Sequence, residues 1–168
     1  MAADLVIAIG TFPTPIGPLA VATSPDGVIA TSAGNADELA TDLTTRLGAG
    51  VTARGRLTEV RRDLRSYLAG RGRELTMPVD LRLVGTPFAL AVLTTTTQIP
   101  YGELWTYGDV AGKAGRPRAA RAAGSVLRTC PIELWVPCHR VVPAGPGLGT
   151  YGGEDDRRGF LLRHEGAI

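Results

Sequence analysis

Cysteine and histidine are scarce in this chain: there are two of each, and residues 1–129 contain neither. So few thiols exclude a disulfide framework. The set Cys130, Cys138, His139 and His164 also falls outside the usual zinc spacings, because adjacent residues rarely converge on one ion. No metal is expected. No apolar run is long enough to cross a bilayer, and residues 1–12 lack the basic start and apolar stretch of a secretory leader. A cytoplasmic protein is expected. There is no internal repeat and no low-complexity tract. The glycine-rich stretch Gly145–Gly153 lacks the Gly-x-x-x-x-Gly-Lys-Ser/Thr order that cradles a triphosphate, and no other cofactor motif is present. Glycines there suit a close approach of backbone to a flat ligand.

Net charge is small as well, +2, which does not by itself mark a nucleic-acid binder. The distribution says more. Lys113, Arg116, Arg118, Arg121 and Arg128 share one window that holds no acid, so any contact with DNA is expected there.

What is present fits an ordinary globular chain of 168 residues, 44% hydrophobic, with material for one domain or two small ones. Val6–Ile9, Pro18–Thr23 and Val28–Ser32 read as strands, the last two joined by an Asp26-Gly27 turn. Helical spacing follows over Asp37–Leu47 and Thr58–Leu68, with Arg61, Arg62 and Arg65 on a solvated face of the second. Leu75–Leu83 suggests a further strand, and Val84–Pro87 a boundary. Thr86 and Pro87 then open a helix to about Thr97, whose run of four threonines demands support from packing. Thr106 caps a helix from Tyr107 to Lys113, Gly115 breaks it, and Pro117 starts another to about Arg128: a helix-turn-helix. A last helix carries Glu154, Asp155 and Asp156 in its first turn and Arg163 and His164 in its last, as its dipole favours. The fold class expected is α/β (α+β), an amino-terminal sheet domain over 1–84 and a mostly helical domain over 85–168.

Between these helices lies Val136-Pro137-Cys138-His139-Arg140-Val141. Ile132, Leu134 and Val136 alternate with Glu133 and Trp135, the pattern of a short buried strand, and Pro137 stiffens the turn after it. A thiol held there can act as a nucleophile, but only as its thiolate, a few per cent of a free cysteine near neutrality. His139 is the nearest base. In an extended segment the two side chains would face opposite ways, which calls for a water between them. On these residues alone, a core cysteine is the plainer reading.

Pro137-Cys138-His139-Arg140-Val141 does not stand alone. Ile99-Pro100-Tyr101-Gly102-Glu103, Thr106-Tyr107 and Ala120-Arg121-Ala122-Ala123-Gly124 precede it; Thr150-Tyr151-Gly152-Gly153 and His164-Glu165-Gly166 follow. Together they resemble the O6-alkylguanine-DNA alkyltransferases, the methylated-DNA–protein-cysteine methyltransferases. The likeness runs ungapped from about Gly85 to the last residue; the first half matches loosely, through Thr14-Pro15-Ile16-Gly17-Pro18-Leu19.

The resemblance implies a ribonuclease H-like first domain and a monomer that repairs double-stranded DNA in a single turnover. Cys138 would attack the alkyl carbon on guanine O6, with O4-alkylthymine a second candidate substrate. His139 would serve as base through water, Glu165 would orient the imidazole, and Tyr107 would protonate the departing base. Alone, Glu165 reads as a solvated carboxylate and Tyr107 as a core aromatic. The target nucleotide must be flipped out of the duplex. The resemblance implies that the second helix enters the minor groove and that Arg121, otherwise one more phosphate contact, fills the vacated stack. Arg116, Arg118, Arg128, Ala120, Ala122 and Gly124 complete that surface. Pro137, Val141, Tyr151 and Gly152 would form the base pocket, and Arg140 would buttress the loop. The family's Asn-Pro is Cys130-Pro131 here, and Cys130 is expected as a buried packing residue. Two readings compete: a helix-turn-helix protein that binds alkylated bases without chemistry, which the presence of Cys138 disfavours, and a thiol redox protein using Cys130 and Cys138, whose spacing is not Cys-x-x-Cys.

Overall fold

A computed structural model describes residues 5–48, 50–52, 56–148 and 155–168. The chain forms two compact units, one of residues 1–83 with Pro131–Trp135, the other of residues 84–130 with 136–168.

The first unit is built on a four-stranded sheet in the order β3-β2-β1-β4. β1 (Ile7–Phe12), β2 (Leu19–Ser24) and β3 (Gly27–Ala33) run antiparallel, and the short β4 (Val51–Thr52) pairs parallel with β1. Every residue of β2 is buried, as suits a central strand. Gly27 sits in the β2–β3 turn at φ +142, where an added Cβ would lie 2.2 Å from the Pro78 carbonyl oxygen; only glycine fits. α1 (Ala36–Leu47), capped by the Asn35 side chain on the amides of Asp37 and Glu38, buries Leu39 and Leu43 against Ile7, Ala20, Ala22 and Ile29. α2 (Leu57–Leu68) turns Val60, Leu64 and Tyr67 inward. Asp63 goes in with them. Its carboxylate accepts from Thr76 Oγ1 at 2.7 Å, the Met77 amide at 2.8 Å and Trp135 Nε1 at 3.1 Å, which offsets the burial of a charge.

Two expected strands are absent. Over Leu75–Leu83 only one bridge forms, Val28 to Val79. Residues 131–136 form a bend and a tight turn rather than a strand, with Leu134 at φ +71 and Trp135 buried. Long-range bonds win over the alternating pattern here: Thr31 donates its amide to the Pro131 carbonyl at 2.8 Å, and its hydroxyl accepts the Glu133 amide at 2.7 Å.

The second unit is mostly helical. α3 (Pro87–Thr96) starts at the Thr86 cap, and its threonine run is held by packing, with Thr95 and Thr96 buried. β5 (Trp105–Thr106) leads into α4 (Tyr107–Lys113). Gly115, at φ +92, turns the chain toward α5 (Ala120–Arg128). This helix starts later than expected. Pro117 and Arg118 form a turn closed by the Ala119 amide on the Arg116 carbonyl, so Arg118 precedes the helix. β6 (Val141–Val142) and α6 (Asp155–His164) complete the unit. Among the described residues no helix is long and apolar enough to cross a membrane.

Candidate active site

Local sequence fixes where the site residues begin. The Thr106 hydroxyl accepts the Asp109 amide at 3.0 Å and the Asp109 carboxylate accepts the Thr106 amide at 2.9 Å, a capping box that sets Tyr107 as the first residue of α4. β5 pairs parallel with β6, Trp105 opposite Val141 and Thr106 opposite Val142. The chain leaving Cys138 therefore runs beside the start of α4. Cys138–Arg140 is one turn of 3₁₀-helix after Pro137, not the extended segment expected. The Cys138 amide donates to the Val136 carbonyl at 2.7 Å, and the Cys138 carbonyl accepts the Val141 amide. Cys138 and His139 are each 1% exposed.

Glu165, expected at a solvated helix end without the family likeness, has a fully buried side chain. Its Oε1 lies 2.7 Å from His139 Nε2 and accepts from Arg140 Nη2 at 2.9 Å. Its Oε2 accepts Arg140 Nε at 2.8 Å and the Gly102 amide at 3.3 Å. Arg140 spends a further N–H on the Ile99 carbonyl at 2.7 Å. Both oxygens thus have two donors, the condition under which a carboxylate is tolerated in a dry interior. Gly102, at φ +81, approaches so closely that an added Cβ would stand 3.2 Å from the Glu165 carbonyl oxygen. Arg140 supports the loop, as expected.

Burial depresses the His139 pKa below its ordinary 6.5; Glu165 opposes that shift, and the charges of Arg140 and Arg158 reinforce it. The imidazole is therefore neutral near neutrality and able to take a proton. The sign for stability follows. On the acid side of 6.5 the unfolded chain binds a proton that the folded chain refuses, so this contribution is complete above 6.5 and lost as pH falls. Urea midpoints should accordingly drop as the pH is taken below 6.5, and His139→Gln should flatten the drop. An equally steep fall in that variant would assign it to other groups.

Tyr107, the proton donor to the departing base in the family likeness, is held by Arg158, a residue that the sequence does not single out. The Arg158 guanidinium, 2% exposed, donates to the Tyr107 hydroxyl oxygen at 3.3 Å and to the Leu148 carbonyl. The Tyr107 ring lies across α5 at Gly124, where an added Cβ would meet it at 3.7 Å. Gly124 thus serves packing of α4 on α5. A basic residue in the first turn of α6 gave no sequence signal of a partner that far away.

The other expected residues divide. Arg121, Ala122 and Arg128 are exposed on α5, Ala120 and Gly124 are half-buried, and Ala123 and Leu127 are its buried face. Arg118 is exposed in the preceding turn, and Arg116 places its guanidinium 5.1 Å from the Phe88 ring centre. None of these arginines pairs with an acid among the described residues. Pro137 and Val141 are buried beside the thiol, while Tyr151 and Gly152 lie outside the described residues. Cys130 is half-buried rather than buried, because it is where the chain leaves the end of α5; its amide reaches Leu127 at 3.3 Å. The Thr129 hydroxyl bonds back to Ser125 and Val126 of its own helix. Among the described residues no cluster of His, Cys, Asp and Glu could hold a metal ion.

Two family models match: the DNA-binding domain of 6-O-methylguanine DNA methyltransferase over residues 87–167, and the ribonuclease-like domain of the same family over residues 7–81. A methylated-DNA–protein-cysteine methyltransferase of Methanosarcina acetivorans is 40% identical over 109 residues, 65% of this chain and 69% of that protein. One from Mycobacterium tuberculosis is 43% identical over 103 residues, 61% of each. A solved structure, Mycobacterium tuberculosis OGT in complex with DNA, superposes with a TM-score of 0.79 at 33% identity, covering 96% of this chain and 93% of that one.

Proposed function

Because the chain belongs to the 6-O-methylguanine DNA methyltransferase family, that of the methylated-DNA–protein-cysteine methyltransferases, we propose that it repairs DNA by direct reversal, moving the alkyl group of O6-alkylguanine onto Cys138. One observation carries this reading. A buried Cys138-His139 turn, its imidazole 2.7 Å from the Glu165 carboxylate, shares one compact unit with the helix pair α4–α5.

The reaction is a displacement at carbon. The thiol gives its proton to His139, which has Nε2 on Glu165 and so works through Nδ1 and water. Sγ bonds to the alkyl carbon, and the carbon–O6 bond breaks with its electron pair going to the guanine. Tyr107 supplies the proton that neutralises the leaving base, and the histidine's proton restores the phenol. The product is a stable thioether, so each molecule acts once. The partner is double-stranded DNA, read from the minor groove by α5, with Arg121 filling the stack of the flipped nucleotide. Arg118 and Arg128 take phosphates. Pro137, Val141, Tyr151 and Gly152 form the base pocket. The same reading makes the protein a cytoplasmic monomer. The direct test uses a duplex whose O6-methylguanine carries a labelled methyl group. The label should move to the protein; label that stays on DNA, or leaves as a small molecule, excludes this chemistry.

Arg121→Ala is expected to slow repair of a duplex at least tenfold while free O6-methylguanine reacts at nearly the wild-type rate, because stacking matters only when a duplex must be opened. Equal losses on the two substrates would remove the stacking role. Arg158 has a different part. Its donation to the Tyr107 oxygen fixes where the phenol points, which makes it a positioning residue. Arg158→Lys should slow transfer about tenfold in the wild-type background and hardly at all in a Tyr107→Phe background. Additive losses would mean that Arg158 acts elsewhere.

A further inference from the structure

We propose that the first unit carries a second nucleic-acid site, a cleft on α2 that takes an unstacked nucleotide of single-stranded DNA with its flanking phosphates. The choice of DNA as the polyanion rests on the repair reading above; the cleft itself does not.

α2 exposes Arg61, Arg62 and Arg65, and Arg71 follows on the next turn of chain. Residues three and four apart on a helix surface, as Arg62 and Arg61 are from Arg65, repel when they carry like charge, so such a cluster normally draws acids. Here the acids of the helix are engaged elsewhere. Glu59 grips Arg56 through two bonds of 2.6 and 3.0 Å, and Asp63 is buried on Thr76, Met77 and Trp135. Among the described residues no carboxylate pairs with any of these four arginines. They line a cavity of about 720 Å³ together with the hydroxyls of Thr58 and Ser66. From Thr58 to Ser66 the helix rises about 12 Å, room for more than one phosphate of an extended strand.

A second cavity, of about 460 Å³, adjoins the first and shares Arg61 and Arg65 with it. Its other walls are mostly apolar, with Phe12, Pro13, Pro15, Leu64 and Leu68 beside Thr11. The Arg61 guanidinium stands 5.7 Å from the centre of the Phe12 ring, so one cation at the junction is already held in place. An apolar hollow of ring-binding size beside a cationic groove is the combination that single-stranded nucleic acid fills, base in one part and backbone in the other. A paired duplex keeps its bases stacked and could use only the groove. An anionic membrane would be met by large apolar side chains around the arginines. Those exposed among the described residues, Val6, Leu90, Leu104 and Ile168, are not on α2.

The test uses the full chain and a short single strand containing 5-bromodeoxyuridine. Irradiation followed by peptide mapping should place crosslinks at residues 11–15 or at Leu68. Arg61→Ala combined with Arg65→Ala should weaken binding of the strand roughly tenfold and reduce its logarithmic salt slope by about 1.4, at about 0.7 per lost phosphate contact. Methyl transfer from duplex should stay within about twofold in that variant. Crosslinks confined to α4 and α5, an unchanged affinity and slope, or displacement of the strand by polyglutamate or phosphatidylglycerol vesicles would each overturn the site. The two readings fail separately. Crosslinks in the first unit without any methyl transfer would sustain the cleft and sink the repair reading; transfer without those crosslinks would sink the cleft alone.

Discussion

Replacing Glu165 with alanine is expected to unfold the protein more easily by about 3–5 kcal/mol and to slow alkyl transfer about a hundredfold or more in whatever remains folded. The carboxylate is fully buried and takes four donors, two from Arg140 and one each from His139 and the Gly102 amide. Removing it leaves a buried guanidinium without its counter-charge and an imidazole without the group that fixes its tautomer. Glu165→Gln separates the two effects. It keeps an oxygen for Arg140 and removes the charge that supports an imidazolium, so it should recover part of the stability and little of the rate. The check is a urea midpoint and a single-turnover rate on both variants. Glu165→Ala with a wild-type rate would show that His139 needs no partner.

Cys138→Ser is the second large effect. A serine hydroxyl is a far poorer nucleophile than a thiol, so transfer should fall below detection. Binding to a damaged duplex should change little, because the exposed arginines of α5 and of the turn before it are untouched. The serine variant would then behave as a binder of alkylated DNA that does no chemistry. Loss of binding along with transfer would mean that the thiol also shapes the base pocket.

What could be read from the sequence was local. Thr106 announces the start of α4, and Thr86 with Pro87 that of α3, because caps act within one turn. The strands β1 to β3 followed from apolar runs and the Asp26-Gly27 turn. Some failures were local, the later start of α5 and the 3₁₀ turn at Cys138 among them, but the larger ones were long-range. Alternation over Ile132–Val136 suggested a strand, yet bonds from Thr31 and Asp63 fold that segment into a turn with Trp135 inside. Nothing near Asp63 in the sequence indicates that it will be buried under an indole 72 residues away. Glu165 illustrates both sides. Residue by residue it is a helix-end acid with no reason to be buried, and only its place in His164-Glu165-Gly166, set against the motifs before it, pointed to the imidazole. Arg158 had no such motif and was found through Tyr107.

The central claim is that Cys138 accepts one alkyl group and keeps it. Intact-protein mass spectrometry after mixing with excess duplex containing O6-methylguanine measures this directly, with peptide mapping to place the added mass. One methyl group per protein molecule, on the peptide holding Cys138 and still there after prolonged incubation, is the expected result. Methyl on Cys130 or any other residue, or lesions repaired in excess of protein molecules, would contradict it.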